Sequence, residues 1–183
     1  EQVAECLVSN NVKFLRAGAF KPATFPYAVE GLGHSGLDIL GQIRDKFGLV
    51  IVSEVMAISQ IELAERYIDL VQIGARNMQN FDLLVALAKT NKPILLKRHP
   101  GASLRDWLGA AEWLMANGSE KVILCERGVN VPHTHGQNVR WALDVTAIPA
   151  VKNYSNLPVF VDPSHSGGIR SYVPSLSKAA IAA

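Results

Sequence analysis

The sequence has few of the features that mark secreted, membrane-spanning or nucleic-acid-binding proteins. Its 183 residues include only two cysteines, Cys6 and Cys125, so no disulfide framework is expected and a reducing cytoplasm is favoured. No apolar run approaches the roughly 18 residues of a membrane span, and no signal peptide is visible. The net charge is only +2, which offers no general basic surface. We therefore expect a cytoplasmic protein that binds neither a membrane nor nucleic acid.

What the sequence does have is a recurring pattern of strand-like runs. Six short apolar runs each end in a charged or ionisable residue, and an amphipathic stretch separates most of them. They cover residues 12–16, 50–54, 70–76, 94–98, 122–127 and 159–165. Runs of this length indicate strands buried on both faces, and strand–helix alternation predicts a parallel sheet. We expect an α/β fold, a single TIM (β/α)8-type barrel domain over residues 1–183.

The number of strand–helix units is smaller than a complete barrel needs. About six units are present, whereas a barrel of eight usually takes about 250 residues. Residues 1–10 look like the end of a helix, and residues 174–183 look like a helix with no strand after it. An open six-stranded sheet would expose two hydrophobic edges. We therefore expect that terminal barrel segments are missing, rather than a genuine six-stranded fold.

Capping residues predict where several helices begin. Helices are expected over residues 36–47, 59–67, 80–89, 103–117 and 140–145. Ser35 and Ser59 are the expected N-caps of the first two, and Glu62 would complete a capping box with Ser59. Ser103, with Asp106 three residues later, should open the fourth. The last of these helices is expected to end before a proline.

Charged side chains follow the predicted strands and should meet at one face of the barrel. The carboxyl ends of barrel strands converge on the face where active sites are built. The residues placed there are Arg16, Arg76, Lys97, Arg127 and His165. Four cations that face one cavity repel one another, so their placement is best explained by a strongly anionic ligand such as a phosphorylated carboxylate. The alternative is a set of salt bridges to Glu54, Glu126 and Asp162.

Several nearby residues could add chemistry to such a site. Lys21, in the loop after the first strand, could protonate or polarise a reacting group. His165 could ligate a divalent metal or shuttle a proton. His133 and His135 could also bind metal, although a solvated loop is the safer interpretation. Cys125 is expected to be an inert, buried thiol.

Five segments together resemble one enzyme family. They are RAGAFKP at 16–22, QIGARNMQN at 72–80, LLKR at 95–98, ILCERG at 123–128 and DPSH at 162–165. The likeness is to the 3-deoxy-D-arabino-heptulosonate 7-phosphate (DAHP) synthases, in the subgroup that is also similar to 3-deoxy-octulosonate 8-phosphate synthase. It runs nearly end to end, and the 72–80 segment is specific to the heptulosonate branch. The resemblance implies a barrel enzyme, homo-oligomeric as a dimer or tetramer, that condenses phosphoenolpyruvate with erythrose 4-phosphate on the shikimate pathway to aromatic amino acids.

The resemblance also implies roles for individual residues. Phosphoenolpyruvate would contact Arg76, Lys97 and Arg127, with Arg16 and Lys21 at its reacting end. The aldose phosphate would meet the motif that contains Lys21, Pro22 and Thr24. His165 would ligate a divalent metal of the manganese, cobalt, iron or zinc type. Lys21 and His165 would be the catalytic residues, and Asp162 and Ser164 would belong to the substrate site.

Three departures from the family pattern leave alternatives open. The other metal ligands of the family have no counterpart in this sequence. Ala23 stands where the aldose-phosphate motif has arginine, and Trp141 stands where asparagine is expected, after a longer loop at 128–138. The alternatives are a relative that condenses phosphoenolpyruvate with a different aldehyde in secondary metabolism and a catalytically degenerate barrel. The octulosonate branch is disfavoured by residues 72–76 and 162–165.

Overall fold

The computed structural model describes residues 1–23, 25–28, 31–132 and 141–183. Strands and helices alternate along most of the chain. The strands are β1 (Phe14–Arg16), β2 (Val50–Glu54), β3 (Leu70–Ile73), β4 (Ile94–Lys97), β5 (Val122–Glu126), β6 (Val129–Asn130), β7 (Trp141–Ala142) and β8 (Val159–Val161). The helices are α1 (Gln2–Ser9), α2 (Gly33–Phe47), α3 (Ile61–Tyr67), α4 (Phe81–Ala88), α5 (Leu104–Ala116), α6 (Ala147–Tyr154), α7 (Pro163–Gly167) and α8 (Val173–Ala182). Single 3₁₀ turns cover Ile58–Gln60, Ala75–Asn77 and Arg170–Tyr172.

Six of the strands form one parallel sheet in the order β1-β2-β3-β4-β5-β8, and β6 and β7 form a separate antiparallel pair. Parallel neighbours need a crossover, and helices supply it between successive strands of the sheet. The six strands therefore form part of a TIM barrel, as the sequence predicts. All six carboxyl ends lie at the same edge of the sheet, which is what positions the candidate site.

The main core lies between the sheet and its helices. Ile51, Ile73, Leu96 and Leu124 from the strands are fully buried, and Trp107 of α5 packs among them with its indole N–H donating to the Leu96 carbonyl at 3.2 Å. A smaller cluster lines the other face of the sheet, where its members are Val52, Leu70, Leu95 and Cys125. The central strands are thus buried on both faces, because helices cover one side and the barrel interior covers the other.

The two edge strands do not follow that pattern. Phe14 of β1 is 48% exposed and Phe160 of β8 is 41% exposed. Within the described residues each of these strands has a partner on one side only. The prediction of burial on both faces is therefore wrong for β1 and β8, because an edge strand lacks the neighbours that would cover it.

Two of the predicted N-caps were wrong, and one was confirmed. Helix α2 begins at Gly33, so Ser35 lies inside it and donates to the Leu32 carbonyl. Ser59 lies in a 3₁₀ turn, and α3 begins after Gln60 without a side-chain cap. Ser103 does cap α5, in a capping box with Asp106.

The helix expected over residues 140–145 is absent from the described part of that range. Trp141–Ala142 is a strand, and the next helix, α6, begins at Ala147. Pro149 lies in the first turn of α6, where the missing N–H has no intrahelical partner to lose. Pro149 therefore lies in the first turn of a helix and does not end the predicted one.

Candidate functional site

The Arg16 guanidinium is held at the carboxyl end of β1 by a chain of hydrogen bonds across the sheet. Its Nε donates to Gln72 Oε1 at 2.9 Å, and Gln72 Nε2 donates to Glu54 Oε2 at 2.9 Å. Glu54 and Gln72 are paired in register between β2 and β3, and both are buried. The chain of contacts follows from adjacent parallel strands that turn these side chains to the same face.

Glu54 is the carboxylate on which several of the cations act. Burial raises the pKa of Glu54, and the charges of Arg16 and Lys97 oppose that rise, followed by the Gln72 hydrogen bond and the charge of Arg76. Three cations from three different strand ends thus lie within electrostatic range of one carboxyl group. Their joint role in binding a ligand stays a prediction.

Gly74 leaves the space that Glu54 occupies. A Cβ placed on Gly74 would lie 1.9 Å from Glu54 Oε1. Any side chain at this position would therefore displace the carboxylate or the strand end that carries it. The glycine follows β3 directly and precedes the 3₁₀ turn that contains Arg76.

Arg76 lies in that turn rather than in the strand itself. Its Nη1 donates to the Pro22 carbonyl at 2.8 Å, which ties the loop after β1 to the end of β3. Lys21 is exposed beside this contact. The structure thereby brings Lys21, Pro22 and Arg76 together; Thr24 lies outside the described residues.

Lys97 ends β4 and is buried with one carboxylate partner. Its Nζ contacts Asp162 Oδ2, which also lies 2.5 Å from His165 Nδ1. The other oxygen, Asp162 Oδ1, accepts from Ser164 Oγ at 2.7 Å and from the His165 backbone N–H at 3.1 Å. The salt-bridge alternative considered from the sequence is therefore present in the structure for Lys97 and Asp162.

Asp162 remains ionised because of these partners. Burial by itself would raise the pKa of Asp162, but the His165 hydrogen bond and the Lys97 charge hold it well below its usual range. An ionised carboxylate only accepts hydrogen bonds, so His165 Nδ1 must donate to it. In the neutral imidazole the lone pair is then on Nε2, the tautomer that a metal ligand or a proton acceptor requires.

Strand β8 is shorter than the run of residues 159–165 that the sequence predicts. The strand ends at Val161, and Asp162 caps the short helix α7 that contains Ser164 and His165. The proline after Asp162 fits the first helical position. His165 therefore lies one turn beyond the strand end, and the Asp162 contact turns its ring toward Lys97.

Arg127 follows β5 and is 6% exposed. Its guanidinium carbon lies 4.3 Å from the centre of the Trp141 ring, in cation–π contact. Sequence reasoning noted the tryptophan only as a departure from the expected asparagine, and did not connect it with Arg127. The two residues are fourteen positions apart, so no local spacing rule pairs them.

Cys125 is buried beside these charges on the inner face of β5. Burial raises the pKa of its thiol to about 12, against the opposing charge of Lys97. Arg127 and Asp162 also act on the same thiol. The thiolate form is therefore negligible near neutral pH, which agrees with the expectation that Cys125 is inert.

Arg98, next to Lys97, was not singled out from the sequence, and it is buried in a different network. Its Nη1 donates to Glu126 at 3.0 Å and to Asp144 at 2.9 Å, while Nε and Nη2 donate to the Ala102 carbonyl. Glu126 is fully buried and its other oxygen accepts from the Gly128 N–H at 2.6 Å. This network fixes the loop between β5 and β6, which carries Arg127.

His165 is a suitable donor for a divalent metal. Across the described residues no group of three or more His, Cys, Asp or Glu side chains is arranged to hold an ion. The imidazole of His165, oriented by Asp162, fits a single ligand position. His133 and His135, the other histidines considered as ligands, lie outside the described residues.

Among the helices of the described residues, none has the length and apolar character to span a membrane.

Comparison with known proteins agrees with the arrangement. The whole chain, residues 1–183, matches the model of the DAHP synthetase I family. Phospho-2-dehydro-3-deoxyheptonate aldolase of Thermotoga maritima is 44% identical over 181 residues, which are 99% of this chain and 53% of that protein. A 2-dehydro-3-deoxyphosphooctonate aldolase of Desulfotalea psychrophila is 35% identical over 159 residues, which are 81% of this chain and 55% of that protein.

Solved structures show the same likeness. The crystal structure of the Thermotoga maritima DAHP synthase superposes with a TM-score of 0.90 at 44% identity, covering 99% of this chain and 51% of that one. A truncated form of the Thermotoga maritima synthase superposes with a TM-score of 0.88 at 42% identity, covering 99% of this chain and 64% of that one. The chain thus spans about half the length of the curated relatives. Because the family model matches from the first residue to the last, the chain belongs to the DAHP synthetase I family.

Proposed function

We propose that the protein condenses phosphoenolpyruvate with erythrose 4-phosphate to form DAHP, the first step toward chorismate. The single observation that carries the proposal is that Arg16, Arg76 and Lys97 end or follow three strands of one parallel sheet and so lie at its carboxyl edge. A phosphorylated carboxylate is the ligand that such a set of fixed cations would stabilise. The names and functions of the relatives support the same assignment.

In this proposal each cation contacts a particular part of phosphoenolpyruvate. Arg76, Lys97 and Arg127 bind the phosphate and carboxylate of phosphoenolpyruvate, and Arg16 and Lys21 act at its reacting end. Arg16 is pre-oriented by Gln72, so its guanidinium needs no reorganisation when charge shifts in the reaction. Lys97 exchanges its contact with Asp162 for one with the substrate, which a flexible ammonium group can do.

Carbon–carbon bond formation then proceeds between the enol carbon of phosphoenolpyruvate and the aldehyde carbon. Water adds to the resulting cationic carbon, and phosphate leaves with cleavage of its bond to that carbon. Lys21 and His165 are the residues we assign to proton transfer and polarisation, and Pro22, Thr24, Asp162 and Ser164 to the substrate site. A divalent metal held in part by His165 would polarise the aldehyde oxygen when bound.

The location and assembly of the protein belong to the same proposal. From the chain's membership of the DAHP synthetase I family we propose a cytoplasmic homo-oligomer, either a dimer or a tetramer. Neither nucleic acid nor membrane enters the mechanism.

A second candidate differs only in the aldehyde. Ala23 lies beside Lys21 and Pro22, where the family motif has arginine, and its methyl group offers no charge to an aldose phosphate. The loss of one charge-assisted contact would cost about 1.5–3 kcal/mol. A substrate without that phosphate would not need the contact.

Calorimetry and turnover assays separate these proposals. We expect phosphoenolpyruvate to bind the purified protein, and Arg127→Met to abolish binding. With manganese supplied, phosphate release that requires erythrose 4-phosphate would support DAHP synthesis. Binding of phosphoenolpyruvate with turnover only on a non-phosphorylated aldehyde would favour the second candidate. Failure to bind phosphoenolpyruvate would contradict both.

A further inference from the structure

The strand pair β6–β7 holds an aromatic ring against a cation of the site. Its antiparallel register pairs Asn130 with Trp141, so that their side chains lie on the same face. Trp141 Nε1 donates to Asn130 Oδ1 at 3.1 Å, and the Asn130 N–H donates to the Pro100 carbonyl at 2.9 Å. The indole is thus anchored to a strand pair that is itself tied to the loop after β4.

Gly128 allows this strand pair to fold back on Arg127. Its φ of 101° is in the region that favours glycine, and a Cβ here would lie 2.8 Å from Trp141 Cβ and 2.9 Å from Ser166 Cβ. A larger residue at this position would push Trp141 away. The backbone is therefore built to bring the indole to within 4.3 Å of the guanidinium.

An aromatic partner acts on a buried cation differently from a carboxylate. The ring face attracts the guanidinium through its quadrupole, and it leaves the net positive charge in place. A stacked guanidinium also has its N–H donors in a plane fixed by the ring, which suits bidentate binding of phosphate or carboxylate.

We propose that Trp141 is a positioning residue, which fixes the orientation of the Arg127 guanidinium for the anionic substrate. Asn130 and Gly128 hold the indole in place for this role. The proposal rests on the proposed function, because it takes Arg127 as a ligand-binding residue. It predicts that the aromatic face of Trp141, and not merely its bulk, controls the affinity for phosphoenolpyruvate.

Calorimetry with phosphoenolpyruvate on a set of variants tests the proposal. We expect Trp141→Leu to weaken binding by roughly five- to thirtyfold, the range of a cation–π contact, and Trp141→Phe to retain most of the affinity. Trp113→Leu is the matched control, since Trp113 lies on the outer layer against Phe81 and should bind as the parent does. Asn130→Ala, which releases the indole N–H, should weaken binding by only a few-fold.

A spectroscopic readout keeps the test valid if Trp141→Leu folds poorly. The chain has three tryptophans, so 5-fluorotryptophan labelling gives three ¹⁹F resonances, which single Trp→Phe variants assign. We expect phosphoenolpyruvate to shift the Trp141 resonance, to leave that of Trp113 in place, and to shift neither in Arg127→Met.

The outcomes distinguish the two levels of the proposal. If Arg127→Met loses phosphoenolpyruvate while a folded Trp141→Leu keeps the parent affinity and the Trp141 resonance does not move, the positioning role is wrong and the proposed function stands. If Arg127→Met binds phosphoenolpyruvate as the parent does, the proposed function itself is contradicted.

Discussion

Lys97 and Arg98 are adjacent in the chain, equally buried and both cationic, yet they are embedded in opposite ways. Lys97 shares one carboxylate, Asp162, with His165. Arg98 donates to Glu126, Asp144 and the Ala102 carbonyl, and its guanidinium carbon lies 5.7 Å from the centre of the Trp107 ring. A lysine with one exchangeable partner suits a ligand site, whereas an arginine with every neighbour fixed suits a structural anchor. Charge and burial alone do not distinguish the two roles.

The largest effect should come from breaking the anchor. Arg98→Met would leave Glu126, which is fully buried, without its ionic partner. We expect the free energy of unfolding to fall by about 3–5 kcal/mol, measured by urea denaturation. Arg105→Met, at an exposed arginine of α5, is the control and should change stability little. A loss of less than about 1 kcal/mol in Arg98→Met would remove the contrast with Lys97.

The next effect tests the other half of the contrast. Lys97→Met should lower kcat by about 10²- to 10³-fold, the cost of losing one charged donor to the reacting substrate, while the protein stays folded. Asp162 keeps its contacts with His165 and Ser164 in this variant, so its charge is not left without partners. Lys121→Met, at an exposed lysine before β5, should retain full activity. An equal loss in the free energy of unfolding for Lys97→Met and Arg98→Met would show that both residues are structural.

A third variant addresses the space beside Glu54. Gly74→Ala places a methyl group where Glu54 Oε1 lies, and we expect a loss of about 1–3 kcal/mol in stability through overpacking. Gly109→Ala is the matched control, because a Cβ there meets nothing within 4 Å and alanine favours the helix. Thermal unfolding of both variants gives the comparison, and a neutral Gly74→Ala would contradict the tight fit.

The smallest effect is a change in pH dependence. Burial raises the folded-state pKa of Glu54 above its unfolded value of about 4.3. The folded state therefore binds this proton more tightly, and the stability it contributes is lost as pH rises from the unfolded pKa through the folded one. Glu54→Gln should flatten this decline in unfolding free energy above pH 4. An unchanged slope would mean that Glu54 is not the group that titrates.

The sequence predicted the order and position of all six strands of the sheet, and it placed Val50–Glu54 to the residue. It succeeded because a buried strand requires a continuous apolar run that few other structures share. It failed at the ends of those strands and at helix N-caps such as Ser35, where alternative boundaries differ in free energy by only about 1 kcal/mol. Pro149 shows the same difficulty, since a proline fits the start of a helix as well as it ends one.

For the site, the sequence identified which cations follow the strands but not what each one contacts. The sequence does not show which of Lys97 and Arg98 faces the site, because both are cations at the end of one predicted strand. The Trp141–Arg127 contact joins residues on two different elements. Only the side-chain directions imposed by the sheet send one cation to Asp162 and the next to Glu126.

The sequence by itself therefore determined the alternation of strands and helices, the burial of the central sheet and the set of charges at its carboxyl edge. Those properties depend on local hydrophobic pattern and chain order. The tertiary structure alone decided the partner of each charge and the contact of Trp141 with Arg127. Contacts such as Lys97 with Asp162 and Arg98 with Glu126 depend on distances of a few ångströms between segments far apart in the chain, which no local pattern encodes.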